Sequence, residues 1–192
     1  MIYGSLAGAL LGGGGEFCWN ASNCSDMFGL QNAGETGIIC GRSRSRRGGV
    51  FLEYITMQDA WDQIEAIPGY ARKKSGIPKI REFLGLLGDP DREFQVIHVA
   101  GTNGKGSVCA FLTSMLCEAG IPCGTFVSPH LVDIRERFLI GGVMVPEADF
   151  VRAFLEVQAA CEKWTARGEL HPTYFEFLFY MGLCIFRNAG VR

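Results

Sequence analysis

The sequence predicts an α/β fold in which a parallel sheet is flanked by helices. Val96, Ile97, Val99 and Ala100 form a short run of mostly β-prone apolar residues, which is typical of a strand buried on both faces of a parallel sheet. A glycine-rich turn follows directly, and apolar residues then recur at helical spacing from Val108 to Leu116. A second parallel strand is predicted over 124–127, so the helix between the two strands should form a right-handed crossover.

The glycine-rich turn has the composition of a phosphate-binding loop. It has the sequence A-G-T-N-G-K-G-S over residues 100–107. Glycines at 101, 104 and 106 let backbone N–H groups converge on an anion, and the N-terminus of the following helix adds about half a positive charge. Lys105 would bring a full charge to the phosphates, and the Ser107 hydroxyl is placed to reach Mg²⁺.

The turn departs from the standard G-x-x-x-x-G-K-[ST] pattern at two positions. Val99 stands where the first glycine would be, and Gly106 separates Lys105 from the hydroxyl residue. A glycine-rich turn between a strand and a helix, with an incidental lysine, is therefore the alternative. The order strand, turn and helix favours the phosphate-binding interpretation.

With these two departures, the sequence of the turn resembles that of a known family. The stretch A-G-T-N-G-K-G-S resembles the nucleotide loop of the Mur ligase superfamily, and its G-K-G-S form resembles the folate branch, folylpolyglutamate synthase and dihydrofolate synthase. Residues 128–132, S-P-H-L-V, followed by E-R at 136–137, are similar to a second motif of that branch. Residues 173–177, T-Y-F-E-F, are similar to a third. The resemblance runs from about residue 54 to residue 192.

The resemblance implies an ATP-dependent ligase that adds L-glutamate to the γ-carboxyl of a folate through an acyl phosphate. Lys105 would be the catalytic residue, and Ser128 and Glu176 would bind Mg²⁺ together with Ser107. Glu176 could instead be a helix-start acid that faces the helix dipole, and His130 is as consistent with packing as with ligand contact. The residues expected to cradle ATP are Gly101, Thr102, Asn103, Gly104, Lys105, Gly106 and Ser107.

Two other functions are alternatives. A peptidoglycan-branch Mur ligase usually has Thr or Ser directly after the lysine, so Gly106 argues against that branch. A non-catalytic nucleotide-binding remnant is the other alternative, because the resembled enzymes continue past residue 192 with another central strand and a C-terminal domain. We therefore expect residues 54–192 to be the first part of a Mur-ligase-like ATP-binding domain, incomplete and inactive alone.

Residues 1–53 are expected to be a disordered or non-native extension. Residues 12–15 are four successive glycines, and residues 42–47 contain a cluster of arginines, which is typical of flexible, solvated chain. Order is predicted to begin at Thr56, which forms a capping-box-like helix start with Asp59. A loop is expected over 70–78.

The remaining elements follow from periodicity and turn residues. A second helix should bury Ile80, Phe83, Leu84 and Leu87. The sequence then predicts a hairpin over 138–145 with Gly141-Gly142 as its turn, and a helix that opens at Pro146 and ends at Gly168. Its buried stripe would be Phe150, Phe154, Val157, Cys161 and Trp164. The last helix should run from about Pro172 to Asn188.

The composition indicates which cellular compartment and which binding partners to expect. The chain of 192 residues has a net charge of −2, which gives no reason to expect nucleic acid or an anionic membrane as a partner. Its eight cysteines have no C-x-x-C spacing, and no apolar run approaches the roughly 20 residues of a membrane span. We expect a cytoplasmic monomer. By resemblance, its substrates would be L-glutamate and a folate, either tetrahydrofolate or dihydropteroate.

Overall fold

A computed structural model describes residues 3–7, 38–40, 53–69 and 76–191, with the backbone alone for 3–7, 38–40 and 53–54. The strands are β1 (Tyr3–Ala7), β2 (Ile38–Cys40), β3 (Glu53–Ile55), β4 (Val96–Val99), β5 (Cys123–Phe126), β6 (Phe138–Ile140) and β7 (Val143–Met144). The helices are α1 (Met57–Glu65), α2 (Ile77–Leu86), α3 (Lys105–Glu118), α4 (Glu147–Thr165) and α5 (Tyr174–Asn188). The α/β class predicted from the sequence is confirmed.

The main sheet has five strands in the order β4-β1-β5-β6-β7, and β2 pairs with β3 in a separate hairpin. β1 is antiparallel to both β4 and β5, so β4 and β5 point in the same direction, as a crossover requires. They are not hydrogen-bonded to each other, and the neighbouring pairs of the described sheet are antiparallel, so the expected parallel pairing is not found among the described strands. A crossover sets the relative direction of two strands but not which strand lies between them.

The prediction that β4 is buried on both faces is wrong. β4 is an edge strand of the described sheet, and Val96 and Ile97 are 54% and 38% exposed. β5, in contrast, lies in the middle of the sheet under α5 and is buried along its whole length. The fully buried strand is thus β5, although its sequence C-G-T-F is less apolar than the V-I-H-V of β4.

α1 starts as predicted, whereas α2 begins at Ile77, inside the loop expected over 70–78. Thr56 caps α1 with a capping box: the Thr56 hydroxyl accepts the Asp59 N–H at 3.1 Å, and the Asp59 carboxylate accepts the Thr56 N–H at 2.8 Å. α1 buries Ala60 and Ile64. α2 and its end bury Phe83, Leu84 and Leu87, whereas Ile80, which was also expected to be buried, is half-buried.

The core is built by α4 and α5 against the sheet. The predicted stripe of α4 is confirmed, since Phe150, Phe154, Val157, Cys161 and Trp164 are all buried. α5 is buried around most of its circumference, and its Tyr180 ring stacks on Phe83 of α2 with the centroids 4.4 Å apart. Burial raises the pKa of the Cys161 and Cys184 thiols to about 12.

The hairpin of β6 and β7 is also confirmed. Gly141 and Gly142 form its two-residue turn with φ values of 56° and 81°, a conformation that favours glycine at both positions. The helix that follows begins at Glu147, one residue later than predicted, with Pro146 as its N-cap.

α3 contacts the sheet through a small, partly polar face. Cys109 and Thr113 are buried, whereas Phe111 and Met115, which helped to predict the helix, are 69% and 67% exposed. The Thr113 hydroxyl donates to the Cys109 carbonyl at 2.8 Å, and the Thr113 and Thr125 hydroxyl oxygens lie 2.6 Å apart. A buried hydrogen bond thus joins α3 to β5.

Most of the predicted extension, 1–53, lies outside the described residues, as do residues 70–75 of the predicted loop. Within 1–53, the structure describes β1, β2 and the first residue of β3. In the described part of the chain, no helix has the length and apolar character to cross a membrane.

The contact of α5 with β5 gives a test of the packing. A Cβ added at Gly124 would lie 2.3 Å from the Phe186 ring, so Gly124→Ala should lower the free energy of unfolding by about 1–3 kcal/mol through overpacking. Urea unfolding measures this. Gly182→Ala is the matched control, because its Cβ would meet Phe126 and Phe138 at an ordinary 3.5 Å. Equal stability of Gly124→Ala and the wild type would contradict the packing described here.

Candidate functional site

The glycine-rich loop and the end of β5 border one pocket. The pocket has a volume of about 580 Å³ and lies between the loop, α3, β5 and the turn of the β6–β7 hairpin. Its lining residues are Thr102, Asn103, Gly104, Lys105, Gly106, Cys109, Ala110, Thr113, Ser114, Thr125, Val127, Ser128, Pro129, Leu139 and Gly142. Residues from two of the three predicted motifs therefore meet at this pocket.

The loop leaves the N-terminus of α3 without a side-chain cap. Gly104 is the N-cap residue, with φ at 76°, and it makes no capping hydrogen bond through a side chain. A serine or aspartate at an N-cap would itself accept an N–H of the first turn. Gly104 leaves that role to a ligand, and an anion is the ligand that the helix dipole favours.

Lys105 is the first residue of α3, and its side chain folds over the loop. The ammonium donates to the carbonyl oxygen of Thr102 at 2.8 Å and to that of Gly101. These bonds hold the positive charge at the pocket wall beside the loop. Phosphate oxygens could replace the two carbonyl oxygens as acceptors with little movement of the side chain.

Ser128 lies just beyond β5 and lines the same pocket. Its hydroxyl oxygen accepts a hydrogen bond from Nη1 of Arg137 at 2.8 Å, and Nε of the same guanidinium donates to Nδ1 of His130 at 2.8 Å. Arg137 is only 6% exposed, and its guanidinium lies 5.7 Å from the ring centroid of Tyr174 in α5. Burial, followed by the charge of Arg137, lowers the pKa of His130 below its ordinary value.

The carboxylate of Glu136 holds three backbone amides of the segment between Ser128 and Arg137. Glu136 accepts the backbone N–H groups of Leu131, Val132 and Asp133 at 2.7, 2.9 and 2.9 Å. These three bonds stabilise the charged form, so they hold the pKa of Glu136 below its ordinary value. The exposed side chains of Leu131 and Val132 are therefore carried on a fixed backbone.

Glu176 makes its hydrogen bonds at the start of α5. Its carboxylate accepts the Thr173 N–H at 2.8 Å and the Thr173 hydroxyl at 2.9 Å, which forms a capping box at the start of α5. Glu176 is not among the residues that line the pocket, and neither are Gly101 and Ser107. The helix-start interpretation thus describes the contacts of Glu176, and its metal role stays a prediction.

The oxygen donors at the pocket suit Mg²⁺, a hard cation that keeps water and phosphate oxygens among its ligands. In the part of the chain that the structure describes, no group of three or more His, Cys, Asp or Glu side chains converges as a metal site. The Ser128 hydroxyl is an oxygen donor in the pocket, which fits Mg²⁺. Mg²⁺ usually takes one or two protein ligands and fills its octahedron with phosphate oxygens and water.

The buried contacts of Arg137 are not predicted from the sequence. Arg137 belongs to the E-R pair of the second motif, but a charged residue is rarely buried. The only available signal was its place directly before a predicted strand, where its side chain can turn inward under the hairpin.

Comparison with known proteins gives one consistent result. No family model matches the chain. Folylpolyglutamate synthase of Arabidopsis thaliana is 42% identical over 100 residues, or 52% of this chain and 16% of that protein. Dihydrofolate synthase/folylpolyglutamate synthase of Bacillus subtilis is 34% identical over 105 residues, covering 55% and 24%. The mitochondrial folylpolyglutamate synthase of Cricetulus griseus is 33% identical over 144 residues, covering 73% and 23%.

Solved structures agree with the sequence relatives. The crystal structure of folylpolyglutamate synthase from Thermotoga maritima superposes with a TM-score of 0.63 at 27% identity, over 70% of this chain and 31% of that one. The apo form of the Lactobacillus casei enzyme gives 0.61 at 28% identity, over 71% and 33%. A bifunctional folylpolyglutamate synthase/dihydrofolate synthase with Mn, AMPPNP and L-glutamate bound gives 0.53 at 27% identity, over 68% and 30%.

The fold and the glycine-rich loop between β4 and α3 define an α/β module of the Mur-ligase type. The chain spans between a sixth and a quarter of the length of these three relatives. By sequence and by fold, it is a relative of the folylpolyglutamate and dihydrofolate synthases.

The bonds of Glu136 predict a pH-dependent change in the loop. Because its folded pKa lies below the ordinary 4.5, the three bonds persist above that pH and are lost as the pH falls through the lowered value. The amide signals of Leu131 and Val132 should therefore shift with a midpoint below 4.5 in an NMR titration.

Two variants test whether the transition in this titration belongs to Glu136. Glu136→Gln should abolish the transition, whereas Glu118→Gln, at the exposed end of α3, should leave it unchanged. A midpoint at or above 4.5 would show that Glu136 does not hold these amides.

Proposed function

We propose that the chain binds ATP with Mg²⁺ in this pocket and supplies the phosphate-binding part of a ligase that joins L-glutamate to the γ-carboxyl of a folate. One observation carries the proposal: Lys105 and Ser128, from two separate motifs, line the same pocket. The relatives and the structure with Mn, AMPPNP and L-glutamate support the choice of nucleotide, metal and amino acid.

The chemistry needs activation, because a carboxylate oxygen is too poor a leaving group to be displaced by an amine. ATP supplies a phosphoryl group that converts the folate carboxylate to an acyl phosphate, which the glutamate amine attacks with release of phosphate. For such transfers, the protein contributes mainly positioning and charge neutralisation.

Each residue then has a defined task. The amides between Gly101 and Gly106, including those of Thr102 and Asn103, would cradle the phosphates at the start of α3. Lys105 would exchange its loop carbonyls for β- and γ-phosphate oxygens and offset their charge. Ser128 would hold Mg²⁺ from the far side of the pocket, with Ser107 and Glu176 as further oxygen donors. Both bonds from Thr173 end on Oε2 of Glu176, so this task would fall to its other oxygen, Oε1.

The same proposal covers the folate substrate, the bounds of the ATP-binding unit, the oligomeric state and the compartment. We take the folate to be tetrahydrofolate or dihydropteroate, and we take residues 54–192 to be the ATP-binding unit that follows an extension at 1–53. We also take the chain to be a cytoplasmic monomer, and its net charge of −2 gives no reason to expect nucleic acid as a partner. The free thiols of the described cysteines support a reducing compartment.

Nucleotide binding tests the role of Lys105. Lys105→Ala removes charge-assisted hydrogen bonds, each worth about 1.5–3 kcal/mol, so the affinity for ATP with Mg²⁺ should fall roughly 10- to 150-fold in isothermal titration calorimetry. Lys79→Ala is the matched control, since Lys79 pairs with Glu169 and does not line the pocket. Unchanged affinity of Lys105→Ala would remove Lys105 from the site.

Ligase activity is tested in a chimera. The segment of the Bacillus subtilis relative that aligns with this chain is replaced by the matching residues of this chain, and incorporation of radiolabelled glutamate into folate is measured. Turnover should be retained, and Lys105→Ala in the chimera should lower kcat by about 100-fold or more. A folded chimera that binds ATP but adds no glutamate would contradict the ligase proposal.

A further inference from the structure

We propose that Arg137 is a positioning residue of the nucleotide site, which fixes the Ser128 hydroxyl toward the pocket and anchors it to the start of α5. This inference rests on the proposed function, because it takes Ser128 to act on a nucleotide-bound metal ion. Arg137 itself does not line the pocket.

The burial of Arg137 is the first argument. A guanidinium that is 6% exposed loses most of its hydration, so its N–H groups must be directed at specific acceptors. Two of them point to the loop, where Nη1 donates to Ser128 and Nε donates to His130. The guanidinium is planar and rigid, so these two bonds fix the two side chains relative to each other.

The second argument concerns the Ser128 hydroxyl. A serine hydroxyl has two lone pairs and one hydrogen, and without a partner its χ1 samples three staggered positions. The bond from Arg137 occupies one lone pair and selects one rotamer. The second lone pair remains for a cation in the pocket that Ser128 lines.

The third argument is the attachment to α5. The guanidinium lies over the ring of Tyr174, the first residue of α5, at 5.7 Å from the ring centroid. The same helix carries Glu176 in its first turn. Arg137 therefore joins the two segments that hold the two predicted metal ligands outside the glycine-rich loop.

Replacing Arg137 with lysine distinguishes the positioning of Ser128 from an attraction of the ligand by positive charge alone. A positive charge beside Ser128 does not attract Mg²⁺, so any contribution to metal binding must come from geometry. If Arg137 instead acted by attracting phosphate at a distance, Arg137→Lys would preserve its effect. If it acts through the two directed bonds, lysine cannot make both and Arg137→Lys should behave like Arg137→Gln.

The test compares the affinity of the chain for ATP with Mg²⁺ and with EDTA, by isothermal titration calorimetry. The ratio of the two affinities is the metal-dependent gain. Arg137→Gln and Arg137→Lys should each lower this gain roughly 2- to 12-fold, the range for losing one directed hydrogen bond, and leave the affinity in EDTA unchanged. In a Ser128→Ala background, Arg137→Gln should cause no further loss.

Arg135→Gln is the matched control. Arg135 lies two residues away and pairs with Asp133 and Glu147. Its removal should leave the metal-dependent gain at the wild-type value.

A second readout needs no nucleotide. Because Nδ1 of His130 accepts the bond from Arg137, the neutral ring carries its hydrogen on Nε2. ¹⁵N NMR of the wild type should show a pyridine-like Nδ1 signal, and Arg137→Lys should change it. A wild-type ring with hydrogen on Nδ1 would overturn the proposal even if both Arg137 variants failed to fold.

The outcomes separate this inference from the proposed function. If the wild type shows no affinity for ATP with Mg²⁺, the proposed function fails and this inference fails with it. If Ser128→Ala lowers the metal-dependent gain but Arg137→Gln does not, only the inference is overturned. Equal losses with Mg²⁺ and with EDTA, together with a lower urea midpoint, would make Arg137 a structural residue and also overturn it.

Discussion

The contact between Phe186 of α5 and Gly124 of β5 is the constraint on which the rest of the structure depends. The ring lies so close to the backbone that no side chain fits beneath it. This approach buries β5 completely and lets the aromatic side chains of α5 reach Phe126 in the same strand. The end of β5 then carries Ser128 to the pocket, so the position of Ser128 follows from the packing of α5.

Backbone capping holds the candidate site together. Gly104 turns the chain into α3, Glu136 collects three amides of the loop after β5, and Glu176 caps α5. Each of these residues acts within a few positions of its own place in the sequence. Arg137 is the exception, because it connects the loop to another helix.

This difference explains how much of the molecule could be predicted from the sequence. Capping at Thr56, the Gly141-Gly142 turn and the stripe of α4 depend on near neighbours or on a period, and all were predicted correctly. The insertion of β1 between β4 and β5 depends on a remote partner with no local signal, so the pairing could not be predicted. For the site, the motifs identified Lys105 and Ser128 as pocket residues, but not the buried contacts of Arg137. Residues 173–176 match both a capping box and part of a family motif. The sequence alone therefore does not tell whether Glu176 caps the helix or binds a metal ion.

The hydrogen bond between the hydroxyls of Thr113 and Thr125 has a mechanical consequence. Both side chains are buried, at 6% and 2% exposure, where α3 packs against β5. Sliding of α3 along β5 would break this bond and cost the buried Thr125 hydroxyl its partner on α3, whereas the Thr113 hydroxyl would keep its bond to the Cys109 carbonyl. The hydrogen bond therefore fixes the position of α3 along β5. It sets the distance between the start of α3 and the end of β5, and with it the width of the gap that a triphosphate would have to bridge.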